Sequence, residues 1–247
     1  MENALLVDDV SVSFEGLRAL SKVGLDVAKA RVTGLIGPNG AGKTTLVNVL
    51  TGFQKPTTGR VLFDGRDMTG LAPHRVRQAG IARTFQSGRL FADLPVIDNL
   101  EVTGVGLGLK RREAAARAEA MLDWIGIGHL GHRMAGGLPY TDERRVAIGR
   151  ALVVTPDYLL LDEPAAGMSA EEASDLAALI RRIVAELGCG VLLIEHNIGL
   201  VLDLSDHIHV LDSGEIIESG PPAAIKASEK VRHAYMGTQA DAEGEIL

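Results

Sequence analysis

Gly37-Pro38-Asn39-Gly40-Ala41-Gly42-Lys43-Thr44-Thr45 follows the apolar run Val32 to Ile36 and precedes the helical-looking run Leu46 to Leu50. Strand, glycine-rich turn and helix in that order make the P-loop arrangement, which predicts an α/β core with a mainly parallel sheet. Gly37, Gly40 and Gly42 let the backbone turn tightly enough for successive N–H groups to point inward, toward the oxygens of a polyphosphate. The helix N-terminus adds further donors and a favourable dipole. Lys43 then reaches the terminal phosphates as a point charge, and the Thr44 hydroxyl completes the shell of a bridging Mg²⁺. A glycine turn with no ligand is the plainer alternative, and it leaves the Lys43-Thr44 pair at this spacing without a reason. The loop alone does not say which nucleotide hydrolase it serves.

At 247 residues the chain is long enough to bury a large core, as one domain with a subdomain or as two small ones. Hydrophobic residues at 46% and charged ones at 23% are globular values. A net charge of -7 carries no general nucleic-acid footprint. The single cysteine, Cys189, lies beside apolar Val191 to Ile194 and reads as core filling in a reducing compartment. The N-terminus reads as lacking a signal peptide, and no apolar run approaches the roughly 20 residues of a membrane-spanning helix. Any membrane connection is expected to come through partners.

Working outward, Leu5 to Phe14 alternates as a strand does, Glu15-Gly16 turns it, and Leu20 to Val27 reads as its antiparallel return. Gly52 to Gly59 is a loop, and Arg60 to Phe63 is a short strand closed by Asp64-Gly65. These segments predict an antiparallel sheet beside the nucleotide core. Phe14 sits where that sheet could offer a ring to a purine, although a lone Phe on a strand is as readily core. Pro73 to Gly80 reads as a helix leading to the strand Ile81 to Thr84, with Gln86 just beyond. Val96 to Leu152 is helical in pattern and is broken by glycines at 104, 106, 108, 126, 128, 131, 136 and 137. The economical reading is a helical subdomain inserted in the α/β core, over residues 87–154, with its charges on a solvated face.

Tyr158-Leu159-Leu160-Leu161-Asp162-Glu163-Pro164 reads as a buried strand ending in two carboxylates. Ligands gather at the carboxyl ends of parallel strands, where the P-loop also lies. Asp162 can therefore join the Mg²⁺ shell, and Glu163 can orient or deprotonate an attacking water. A second apolar strand, Val191 to Glu195, delivers His196 to the same edge. Paired acids that merely start a turn, or a surface histidine, would each be unremarked alone. Their joint occurrence with a P-loop argues for chemistry.

Taken together, these stretches resemble the ATP-binding-cassette ATPases from Leu5 to about Gly237. Gln86 resembles the Q-loop glutamine, Leu159 to Glu163 the Walker B strand, and His196 the switch histidine. Arg83-Thr84-Phe85-Gln86 with Arg89-Leu90-Phe91, Asp162 to Met168, and Ile194-Glu195-His196-Asn197 look more narrowly like the ATPase subunits of branched-chain amino-acid importers. Lipopolysaccharide-export and urea-import ATPases share much of these stretches. The resemblance implies ATP and Mg²⁺ as cofactors, with Thr44, Gln86 and Asp162 about the metal. It makes Glu163 the general base, His196 the γ-phosphate sensor, and Lys43 and Gln86 further catalytic groups. It also implies one nucleotide-binding domain: residues 1–86 and 155–237 as core, 87–154 as helical subdomain, and 238–247 as an acidic tail.

Partners follow from the same resemblance: a second ATPase subunit, transmembrane permease subunits and a substrate-binding protein, with no nucleic acid. The chain is then expected in the cytoplasm, peripheral to the inner face of the membrane. A soluble cassette acting as a mechanical switch, or a weakly active regulatory cassette, are the contrasting classes. Two departures stand out. The family's Leu-Ser-Gly-Gly-Gln signature is here Leu138-Pro139-Tyr140-Thr141-Asp142, and Ser169 stands where an aspartate is usual. Pro139 offers no N–H or hydroxyl, Thr141 adds a side chain, and Asp142 adds a negative charge near phosphate. A heterodimer, in which an intact signature on the partner faces this chain's P-loop, accommodates the change at one of two composite sites.

Overall fold

A computed structural model describes residues 4–85 and 88–236. Two sheets share the work. The first is antiparallel, in the order β2 (Leu17–Ala28), β1 (Ala4–Phe14), β4 (Thr58–Phe63), β5 (Arg66–Asp67). The second runs β10 (Glu215–Gly220), β9 (His207–Asp212), β3 (Val32–Ile36), β8 (Gly190–Ile194), β7 (Tyr158–Asp162), β6 (Ile81–Arg83), parallel except for the β9–β10 hairpin.

Strands β3, β7 and β8 are buried along their whole length, which is why they read as continuous apolar runs. Their side chains alternate between two cores. Leu159, Leu161, Val191 and Leu193 face one cluster, with α5 (Tyr140–Leu152) and α6 (Ala170–Leu187). Tyr158, Leu160, Leu192 and Ile194 face the other, with α1 (Lys43–Leu50) and the antiparallel sheet. Cys189 is buried, and desolvation pushes its thiol up to about 12, as suits an unreactive core residue.

The insert contains α3 (Val96–Gly106) and α4 (Arg111–Ile125), followed by short 3₁₀ turns at Gly128–Leu130 and Ala135–Gly137 and then α5. The helices do not break at every glycine. Gly104 lies inside α3, where a Cβ would come within 3.0 Å of the Ala114 side chain, so it permits α3 and α4 to approach. Of the remaining helices, α2 (Pro73–Gln78) packs on β6, α7 (Ile198–Leu204) packs on the central strand β3, and α8 (Pro222–Ala227) and α9 (Glu229–Met236) pack on β10.

His209 on β9 joins the two sheets. Its Nε2 is 3.2 Å from the Asp26 carbonyl and its Nδ1 is 2.8 Å from Ser219 Oγ. A carbonyl only accepts, so Nε2 carries the proton and Nδ1 of the neutral ring accepts from the hydroxyl. Burial lowers the His209 pKa. The Asp26 carbonyl opposes the shift, nearby His207 reinforces it, and the Asp26 carboxylate opposes it more weakly. The unfolded chain therefore takes up, near pH ~6.5, a proton that the folded chain refuses. This contribution to stability is complete above that pH and is lost as the pH falls below it. Urea unfolding should show stability falling from about pH 7 to about pH 5, by at most about 1.4 kcal/mol per pH unit from this ring. The fall should be shallower in His209→Gln, and identical slopes in the two proteins would remove His209 as the cause.

Candidate nucleotide site

The turn between β3 and α1 is shaped by close packing. Gly42 caps α1 at φ 107, and a Cβ there would lie 2.7 Å from the Ala19 carbonyl oxygen on β2. A Cβ at Gly37 would lie 1.9 Å from the carbonyl oxygen of Leu211 on β9. These two positions need glycine because neighbouring backbone leaves no room. Gly40 is different: it takes φ 82, and nothing lies within 4 Å of a Cβ built there. The helix begins at Lys43, three residues before the sequence pattern places it, so Lys43, Thr44 and Thr45 form its first turn.

A cleft of ≈ 210 Å³ is lined by Asn39, Gly40, Ala41, Gly42, Lys43, Thr44, Thr45 and Glu163. The Lys43 ammonium donates to the carbonyls of Gly37 at 2.6 Å and Pro38 at 3.0 Å. Its burial lowers its pKa, and the carboxylates of Glu163 and Asp162 oppose that shift. Asp162 and Glu163 thus share one electrostatic field with Lys43. Asp162 closes β7 in register with Ile194 of β8, and Ile194 is also in register with Leu35 of β3. Three adjacent parallel strands therefore end level, and their following residues reach one edge.

Glu163 takes φ 48, a left-handed conformation uncommon outside glycine, and its N–H donates to the Ile194 carbonyl at 2.8 Å. His196 lies two residues past Ile194 and is exposed, with Nδ1 3.9 Å from Glu195 Oε2. Phe14, half-exposed at the end of β1, lies outside the cleft lining, although β2 of the same hairpin packs on Gly42. Gln86 lies outside the described residues.

Two site neighbours, both inside the stretches that carry the resemblance, have no role assigned by the sequence pattern. Arg83, at the end of β6, pairs with Asp162 Oδ2 at 2.7 Å and donates to Asn48 Oδ1 at 2.6 Å, joining β6, β7 and α1. Arg83 also stacks over the Phe85 ring, 4.8 Å from its centroid. Glu195 is fully buried and accepts from the Ala165 N–H at 2.7 Å. Only a partner in space, Asp162 for Arg83 and the Ala165 N–H for Glu195, signals either one.

The altered signature tip opens α5. Pro139 occupies its N-cap, and Asp142 and Glu143 lie in its first turn, where a helix N-terminus favours negative charge. The Thr141 hydroxyl donates to Glu172 on α6. Arg144 is buried and donates to the Phe85 carbonyl at 3.1 Å and to the Tyr140 hydroxyl. Arg150 donates to the carbonyls of Gly88 and Arg89, each at 2.6 Å. α5 is thereby bonded to both flanks of the Gln86 segment.

The family profile for ABC transporters matches residues 20–166. The chain belongs to the ABC transporter ATP-binding family. It is 40% identical to the high-affinity branched-chain amino acid transport ATP-binding protein BraF of Pseudomonas aeruginosa, over 94% of this chain and 97% of that one. The corresponding LivG protein of Escherichia coli K12 is 39% identical over the same shares. A crystal structure of the ADP conformation of an ATP-binding cassette superposes with a TM-score of 0.87 at 33% identity, covering 96% of this chain and 99% of the other.

This chain is thus an ATPase cassette, its hydrolysis coupled to transport. For Mg²⁺ the donor chemistry fits. The Thr44 hydroxyl and the Asp162 carboxylate are hard oxygen donors, and Mg²⁺ takes one or two protein oxygens with waters and substrate phosphates. Among the described residues no cluster of three or more His, Cys, Asp or Glu offers an all-protein cage instead.

With Lys43 on the terminal phosphates, its ammonium would make a charge-assisted contact whose removal corresponds to at least about tenfold in affinity. Lys43→Ala should therefore bind ATP at least ~10-fold more weakly by calorimetry while unfolding at a similar urea concentration. Unchanged affinity would take Lys43 out of the phosphate site.

Proposed function

We propose that this cassette drives import of branched-chain amino acids or a related small polar solute, as a subunit of a transporter whose permeases carry the specificity. The substrate class rests on BraF and LivG, which are named for branched-chain amino acid transport. No helix among the described residues is long and apolar enough to cross a membrane, so the membrane path belongs to permease subunits, with a binding protein delivering solute. The chain then works in the cytoplasm on the inner membrane face. Residues 1–86 and 155–237 form the core unit in this reading, and 87–154 form the helical subdomain.

One observation carries the mechanism: Glu163 lines the same cleft as the P-loop from Asn39 to Thr45. In this proposal the P-loop N–H groups and Lys43 hold the polyphosphate, and Glu163 takes the proton of the attacking water. His196 hydrogen-bonds the γ-phosphate as charge shifts. Thr44 and Asp162 would hold Mg²⁺, joined by Gln86 as the resemblance implies, and the ion would neutralise charge on the phosphates when bound. Arg83 holds Asp162 at the strand end, which fixes where that carboxylate can point. Phe14 at the hairpin end offers a ring to the base.

ATP then lies between this cassette and a second one. The tip at Pro139, Thr141 and Asp142 favours a different cassette as partner, with an intact signature facing this P-loop. The test uses Glu163→Gln, which keeps shape and removes basicity. It should retain ATP binding, lose at least about 100-fold in turnover, and give an ATP-stabilised species in size-exclusion chromatography. When both are supplied, that species should contain the second cassette rather than two copies of this chain. His196→Ala should slow turnover more than it weakens ATP binding. Wild-type turnover in Glu163→Gln sinks the assignment of the base, and a symmetric dimer active at both sites sinks the heterodimer.

A further inference from the structure

We propose that Glu195 is a positioning residue for hydrolysis, a buried carboxylate that ties the turn carrying Glu163 to the loop carrying His196. The proposal rests on the reading of those two residues given above, and it concerns a group that the reading does not use.

The geometry is specific. After β7 the chain passes through Glu163 in a left-handed conformation at φ 48, uncommon outside glycine and favoured where neighbouring groups give support. Two hydrogen bonds from the end of β8 give that support. The Glu163 N–H donates to the Ile194 carbonyl at 2.8 Å, and the Ala165 N–H donates to Glu195 Oε1 at 2.7 Å. Pro164 between them has no N–H to give. The turn is therefore pinned on both sides of the proline by two consecutive residues of one strand end, and the next residue in that strand end is His196. Glu195 Oε2 lies 3.9 Å from His196 Nδ1.

A carboxyl group is an expensive way to fill this space. Glu195 has no exposed surface, and its Oε2 has no well-aligned hydrogen-bond partner. Burial raises its pKa, opposed by the Ala165 N–H, the nearby His196 and the backbone N–H groups of His196 and Asn197. A methionine or leucine would occupy similar volume without that desolvation penalty. What an apolar side chain cannot supply is an acceptor for the Ala165 N–H. The bond connects the segment that carries the base to the segment that carries the γ-phosphate sensor in the proposed mechanism, so that the two keep one spacing. Loss of the bond should therefore be felt once the water attacks, in kcat, and little in ATP binding.

The test measures kcat and KM for ATP in the full chain, in the assembly that gives wild-type turnover, together with hydrogen exchange at the Ala165 amide. Glu195→Met keeps the volume and removes the acceptor. Glu195→Gln keeps an acceptor at the same reach, and Glu195→Asp withdraws it by one methylene and serves if the methionine variant fails to fold. Loss of the acceptor in Met or Asp should lower kcat by about tenfold or more, as expected for one hydrogen bond, and shift KM by less than about threefold. Exchange at Ala165 should speed up in the same variants. Glutamine should recover kcat to within about threefold and restore Ala165 protection.

Equal losses in Gln and Met, or wild-type kcat with a protected Ala165 amide in Met, would overturn the proposal. Glu163→Gln runs alongside. Wild-type turnover there overturns the base assignment and this proposal with it. Lost turnover there beside wild-type turnover in Glu195→Met overturns this proposal alone.

Discussion

The site depends on a junction where three backbone segments meet too closely for side chains. Gly37 lies against the Leu211 carbonyl, Gly42 against the Ala19 carbonyl, and Gly214 against Ala19 as well, its Cβ position 2.7 Å from the same oxygen. Hydrogen bonds close the junction: the Gly214 N–H donates to Ala41 at 2.9 Å, and the Ser21 N–H donates to Gly214 at 2.8 Å. The P-loop is therefore wedged between the antiparallel sheet and the β9–β10 turn. A loop held from both sides keeps its N–H groups aimed without waiting for a ligand, and that lowers the ordering cost of binding.

Everything else at the site is arranged relative to that fixed loop. β3, β8 and β7 are neighbours and end in register, so the P-loop, His196 and Glu163 emerge at one edge in adjacent lanes. Arg83 adds a fourth lane from β6 and anchors Asp162 to Asn48 on α1. Beyond β6, the arginines of α5 grip the flanks of the Gln86 segment, Arg144 at Phe85 and Arg150 at Gly88 and Arg89. A displacement of α5 would pull directly on the backbone that leads away from the Asp162 clamp. Hydrogen bonds to carbonyls thus join the helical insert to the backbone that follows β6.

Much of this was legible in the sequence because it is local. Apolar runs bounded by glycine and acid give β3, β7 and β8, and the loop between β3 and α1 declares itself through the residue types that phosphate requires. The hairpin β9–β10 and helices α6 to α9 escaped the reading. For α6 a local signal was present, the capping box of Ser169 and Glu172 at its start, whereas β9 depends on a strand brought beside it from distant sequence, as His209 bonding Asp26 across sheets shows. Gly104 misled for a related reason, since a glycine that admits a neighbouring helix looks in sequence like one that ends its own. Glu195 and Arg83 were invisible as functional neighbours because their partners, Ala165 and Asp162, sit 30 and 79 positions away.

The central claim is that the preformed loop recognises the polyphosphate rather than the base. Calorimetric titration of the full chain with ATP, ADP and AMP, at one Mg²⁺ concentration, tests it most directly. ATP and ADP should bind, with AMP at least about 100-fold weaker, because it lacks the terminal phosphates and so forfeits charge-assisted contacts to Lys43 and the loop N–H groups. AMP binding as tightly as ATP would contradict the account.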